Sequence, residues 1–154
     1  MAIDLMAEEF IEQVEYYYKR RWPMRSVVEK AVESAMKDTG REDVILLSKN
    51  DGGPWMEDLI TYENECPEVK ERNICMCVYL TMHDCKWIAH TVPVTYEDQS
   101  KLGVKVPEIE KFGGLRGCYS VPESGKHAYC GTRESAIQVA VRIAAIAKKE
   151  RRRF

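Results

Sequence analysis

The stretch Asn73-Ile-Cys-Met-Cys-Val-Tyr-Leu-Thr-Met-His-Asp-Cys-Lys-Trp-Ile-Ala-His-Thr-Val-Pro-Val-Thr95 decides the fold. Two runs of β-branched, aromatic and sulfur-bearing residues, Asn73 to Met82 and Lys86 to Thr95, flank His83-Asp84-Cys85, the pattern of a hairpin. Alternation puts Ile74, Met76, Val78, Leu80 and Met82 on one face and Cys75, Cys77 and Tyr79 on the other. Both faces are apolar, so this hairpin is expected in the middle of a sheet covered on both sides.

Working outward, Asp43 to Ser48 is a short branched run closed by Asn50-Asp51-Gly52-Gly53-Pro54, a strand and its turn. Residues 54–72 set Trp55 and Tyr62 among Glu57, Asp58, Glu63, Glu65 and Glu68, and read as an acidic surface loop with room for a short helical turn. Upstream, Met6, Phe10, Ile11, Val14, Tyr17 and Tyr18 recur at helical steps between Asp4 and Arg21. After a Trp22-Pro23 corner, Ser26-Val27-Val28-Glu29 forms a capping box for a second helix that Gly40 ends. Downstream, Leu115–Val121 and Lys126–Cys130 read as a further hairpin. Thr132 then caps a final helix whose apolar face is Ala136, Ile137, Ala140, Ile143, Ala144 and Ala147. The expectation is one α+β domain over 1–154: a helical pair (1–40), an antiparallel sheet of about five strands (41–130) and a C-terminal helix (131–154) packed on it.

A chain of 154 residues is long enough to bury a core without covalent staples. Hydrophobic residues at 45% and charged residues at 31% exclude disordered and fibrous classes. No apolar run approaches a membrane span, and the acidic start does not resemble a secretory signal, so no membrane partner and a cytoplasmic location are expected. A net charge of −2 excludes the global basic excess of a protein held mainly by phosphates, while leaving local basic patches open.

Six cysteines in a chain without an export signal are expected to be reduced, and the apolar or strand-like positions of Cys75, Cys77, Cys85, Cys118 and Cys130 suit small buried hydrophobes. Zinc is not expected. Cys75-x-Cys77 lacks the spacing of a metal knuckle, and His83, Cys85, His90, Cys118, His127 and Cys130 offer no knuckle either. A hairpin turning at His83-Asp84 would set His90 opposite Cys77, a pairing that reads first as strand packing rather than as a nucleophile and its base. Carboxylates such as Glu57 with Asp58, or Glu63 with Glu65, read as solvated, with acid–base work the alternative.

The N-terminus of the last helix offers amides at Thr132 and Arg133, with Arg116, Lys126 and His127 on the adjacent hairpin and Tyr119 or Tyr129 available to stack on a base. These residues are the expected ligand site, for a phosphate-bearing small molecule with no bound cofactor. Basic residues also cluster at Lys19-Arg20-Arg21, Arg25 and Lys148 to Arg153, a potential footprint for a phosphate backbone.

The run Gly117-Cys-Tyr-Ser-Val-Pro-Glu-Ser-Gly-Lys-His-Ala-Tyr-Cys-Gly-Thr-Arg-Glu-Ser-Ala-Ile-Gln-Val-Ala-Val-Arg-Ile-Ala-Ala145 resembles the close of small phage-encoded "ABA sandwich" domains. There a hairpin with an aromatic strand leads into a Thr-capped, Ala-rich helix. The resemblance implies a viral or prophage origin; the expected function is that of a phage or prophage accessory protein working by binding rather than turnover, capturing a host protein or a phosphate-bearing small molecule in the host cytoplasm as a homo-oligomer. The alternatives are an RNA- or DNA-binding domain using the terminal basic clusters, and a small enzyme with a carboxylate or His site.

Overall fold

A computed structural model describes residues 7–13, 22–48, 55–81, 85–92, 118–120 and 126–151. Residues 7–13 are helical (α1), with Phe10 and Ile11 exposed instead of buried. There follow α2 (Trp22–Glu33), α3 (Ala35–Thr39), β1 (Val44–Leu46), α4 (Trp55–Glu65), α5 (Pro67–Glu71), β2 (Met76–Leu80), β3 (Trp87–Thr91), β4 (Cys118–Ser120), β5 (His127–Cys130) and α6 (Arg133–Arg151). The strands lie in the order β1-β2-β3-β5-β4. The class is α+β, but the sheet is mixed. β1 runs parallel to β2, with α4 and α5 forming the crossover, and the remaining pairs are antiparallel. β4 is three residues long and its register with β5 slips between Cys118 and Ser120, so four strands carry the regular ladder.

The parallel pair follows from the stretch read as an acidic loop. Trp55, Leu59, Tyr62, Cys66 and Val69 recur every three or four residues among the carboxylates, and that stripe folds into α4 and α5 rather than a loop. Trp55, Leu59 and Val69 are buried, and Pro67 starts α5 at a position where its missing N–H has no partner to lose. A helical connection returns the chain to the same end of the sheet, which a tight turn cannot do.

Two apolar layers sandwich the sheet. Val44, Met76, Val78, Ala89, Ala128 and Cys130 face Ala136, Val139, Ala140, Ile143, Ala144 and Ala147 of α6. On the other face Ile45, Cys77 and Val92 meet Met24, Val28 and Val32 of α2 and Leu59 of α4. Alternation along β2 begins only at Met76. Asn73 takes a left-handed φ of 53°, so Ile74 falls in the α2 layer while Cys75 and Met76 share the α6 layer.

Helix ends follow local chemistry. α2 begins at Trp22, four residues before the capping box, with Pro23 in its first turn rather than at a corner. Gly40 ends α3 at φ 78°, its N–H bonding the Met36 carbonyl at 3.0 Å. Thr132 Oγ1 accepts from the Ser135 amide at 3.1 Å and caps α6. Among the described residues no helix is long and apolar enough to cross a membrane.

Candidate functional site

On the face of the sheet opposite α6, period-two alternation aligns Tyr79 of β2, His90 of β3, and His127 and Tyr129 of β5. His90 stands directly opposite Cys77 on one side and His127 on the other. The two imidazoles stack with centroids 5.5 Å apart and planes 11° from parallel. Tyr129 meets His127 edge-on at 5.0 Å, and its hydroxyl shares a 3.2 Å hydrogen bond with His127 Nε2. At the other end Trp55, the first residue of α4, lies 5.5 Å from His90 and 5.6 Å from Tyr79. Five rings drawn from three strands and one helix thus form a continuous row. Trp55 is buried, whereas Tyr79, His90, His127 and Tyr129 are half-buried.

The row's electrostatics are set by partial burial. His90 Nδ1 lies 2.7 Å from the Thr91 carbonyl, which can only accept, so Nδ1 carries the proton of the neutral ring and Nε2 keeps a free lone pair. Burial lowers the His90 pKa below 6.5, and it lowers that of His127 in the same direction, so both rings are neutral at pH 7. Burial, with a smaller contribution from Cys77, pushes the Tyr79 hydroxyl up to about 12. Cys77 is fully buried, and desolvation raises its thiol well above the usual range, which disfavours the thiolate. Cationic character enters at the rim: the Lys86 ammonium lies 5.5 Å over the Tyr129 ring. Lys126 is exposed at the start of β5, its carbonyl accepting from the Thr91 amide at 2.8 Å and the Thr91 hydroxyl at 3.0 Å.

A family model for MYG1_exonuc, an uncharacterised protein family (UPF0160), matches residues 1–143. The chain belongs to this family. It is 30% identical over 148 residues to the mouse "MYG1 exonuclease", covering 90% of this chain and 38% of that protein. It is 28% identical to the Caenorhabditis elegans "MYG1 protein C27H6.8" (90% and 43% covered) and 23% identical to the Dictyostelium discoideum "MYG1 protein" (92% and 44%). The chain therefore spans about two fifths of the length of these relatives. No solved structure matches it. MYG1_exonuc membership overturns the phage "ABA sandwich" resemblance and, with it, the phage accessory role. A hairpin, a Thr cap and an Ala-rich helix satisfy general rules of folding and do not single out one family.

Within this MYG1_exonuc chain, the described residues among those expected around the α6 N-terminus are spread along β5 and the start of α6. Thr132 Oγ1 is engaged with Ser135, and Arg133 lies 3.6 Å from Glu134. Lys126 and Thr132 stand at opposite ends of β5, whose four residues alone extend about 13 Å. His127 joins the ring row instead. Tyr119 lies in β4, its side chain outside the described residues, as is all of Arg116. Of the basic clusters, Arg25 is committed to Glu29 at 2.9 Å and Glu65 at 2.6 Å. Lys148 borders a hollow of about 240 Å³ with Asp43, Arg72 and Cys75. Lys19, Arg20 and Arg21 are outside the described residues. Sequence reasoning missed Trp55 and Tyr79 as site residues; the hairpin register, extended to β5, places Tyr79, His90, His127 and Tyr129 on a common face.

Proposed function

We propose that this chain grips single-stranded nucleic acid for a nucleic-acid-processing protein of the MYG1_exonuc family. Unpaired bases lie against the half-buried rings of His90, His127 and Tyr129, and Lys86 and Lys126 hold flanking phosphates. The observation that carries the reading is the five-ring row on one sheet face with a lysine at its edge, a combination of stacking platform and cation that tolerates any base. Neutral imidazoles suit this role, since an uncharged ring stacks on a base without competing for the phosphate. The exonuclease names of its relatives support nucleic acid as the ligand class.

The test is fluorescence anisotropy with a labelled single-stranded oligonucleotide and the same sequence as a duplex. Single strand is expected to bind more tightly than duplex. Replacing Tyr129 by Ala should weaken it by about 5- to 150-fold, the equivalent of about 1–3 kcal/mol of stacking per base. Equal affinity of wild type and Tyr129→Ala, or a preference for duplex, refutes the reading.

A further inference from the structure

We propose that Cys118 and Cys130 are an oxidisable dithiol that closes to a reversible disulfide between β4 and β5. The site is independent of the ring row and lies on the opposite face, in the layer packed by α6. Cys118 is paired directly with Cys130 in the strand register. The Thr91 amide bonds the Lys126 carbonyl, and the same β3–β5 register continues to Trp87 opposite Cys130. Hydrogen-bonded pairs recur every second residue, so the Cys130 N–H and C=O point toward β3. Toward β4, Cys130 therefore occupies the non-hydrogen-bonded position, where opposed Cα atoms stand about 4.5 Å apart and side chains come closest. That separation lies within the roughly 4.4–6.8 Å a disulfide spans.

The two side chains already interact through a hydrogen bond between their thiols. Cys118 is half-buried while Cys130 is buried, so an oxidant reaches Cys118 first. With a hydroperoxide such as hydrogen peroxide, the Cys118 sulfur takes one peroxide oxygen. The O–O bond breaks, and the thiol proton leaves with the second oxygen as water. Cys130 sulfur then attacks the resulting sulfenic sulfur, the S–O bond breaks, and the Cys130 proton departs with the hydroxide as a second water. Two thiols are oxidised and one peroxide is reduced. Burial, with a smaller contribution from Cys118, pushes the Cys130 thiol up to about 12, so Cys130 attacks only as its proton passes to the departing hydroxide, and closure is slower than with an exposed thiol. The other neighbouring pair does not compete: Cys75 lies in the α6 layer and Cys77 in the α2 layer, on opposite sides of the sheet.

The experiment treats the folded wild-type chain with stoichiometric hydrogen peroxide, followed by digestion without reductant and peptide mass mapping. The expected product is a Cys118–Cys130 cross-linked peptide, lighter by two hydrogens than the sum of its parts and lost on reduction with dithiothreitol. Hydrogen exchange of residues 118–120 should slow in the oxidised protein, because β4 is then tied to β5. In Cys130→Ser, Cys118 should instead accumulate as a sulfenic acid that a dimedone probe traps. Cys118 carried on to sulfinic acid while Cys130 stays a free thiol in the wild-type chain overturns the proposal. So does recovery of both as unmodified thiols under conditions that oxidise exposed Cys85.

Discussion

Trp55→Ala tests whether the ring row and the fold share one keystone. Trp55 retains only 6% of its surface, and it joins α4 to Tyr79 and His90 on the sheet. An indole buried this far hides about 200 Å², which at about 25 cal/mol per Å² corresponds to about 5 kcal/mol. Truncation of buried Phe or Trp to Ala costs about 3–5 kcal/mol, a large part of the roughly 5–15 kcal/mol that holds a domain folded. At about 2–4 °C per kcal/mol for a chain of this size, Tm should fall by about 6–20 °C in a thermal melt followed by circular dichroism. The same cavity admits water to His90, whose lowered pKa comes first from burial, so its titration midpoint should move back up toward 6.5 by imidazole NMR. Trp55→Phe should recover most of both effects. A Trp55→Ala chain that melts with wild type, or one in which His90 titrates unchanged, refutes the packing described.

Ala140→Glu sets a carboxylate at a position fully buried between α6 and the sheet, and should abolish folding through desolvation of an unpaired charge plus overpacking, at a cost of several kcal/mol; native-like soluble expression is the contrary result. His90 and His127 both have pKa values lowered by burial, so the unfolded chain takes up their protons first. Their contribution to stability is complete above pH 6.5 and is lost as pH falls below it, so urea midpoints should drop between pH 7.5 and 5.5, and His90→Gln should flatten that dependence. Lys86→Ala and Lys126→Ala should each reduce the slope of log affinity against log salt for a single strand by about 0.7, while Tyr129→Ala leaves the slope unchanged.

The hairpin's register was legible, though its faces were misassigned at Ile74 and Cys75, where left-handed Asn73 resets the alternation. A turn at His83-Asp84 dictates Cys77 opposite His90, and that register is the observed one. The Thr132 cap and small-residue face of α6 were equally plain. The parallel β1 was not, since it depends on reading 55–71 as helical. The acidic residues there masked a stripe whose burial depends on a sheet distant in sequence. The site was only half visible for a related reason. His127 and Tyr129 stood out as polar and aromatic candidates, but they were grouped with the helix N-terminus that follows them in sequence, not with Trp55, Tyr79 and His90, which neighbour them across strands. Lys126, grouped the same way, lies at the far end of β5 from Thr132.

Histidine side-chain NMR during titration with a single-stranded oligonucleotide asks whether the strand lies on the ring face. Saturable shifts of the His90 and His127 imidazole resonances are expected, lost in Tyr129→Ala under the same conditions. Binding that leaves both imidazoles unmoved, with the shifts gathered instead around Lys148 at the end of α6, contradicts that placement.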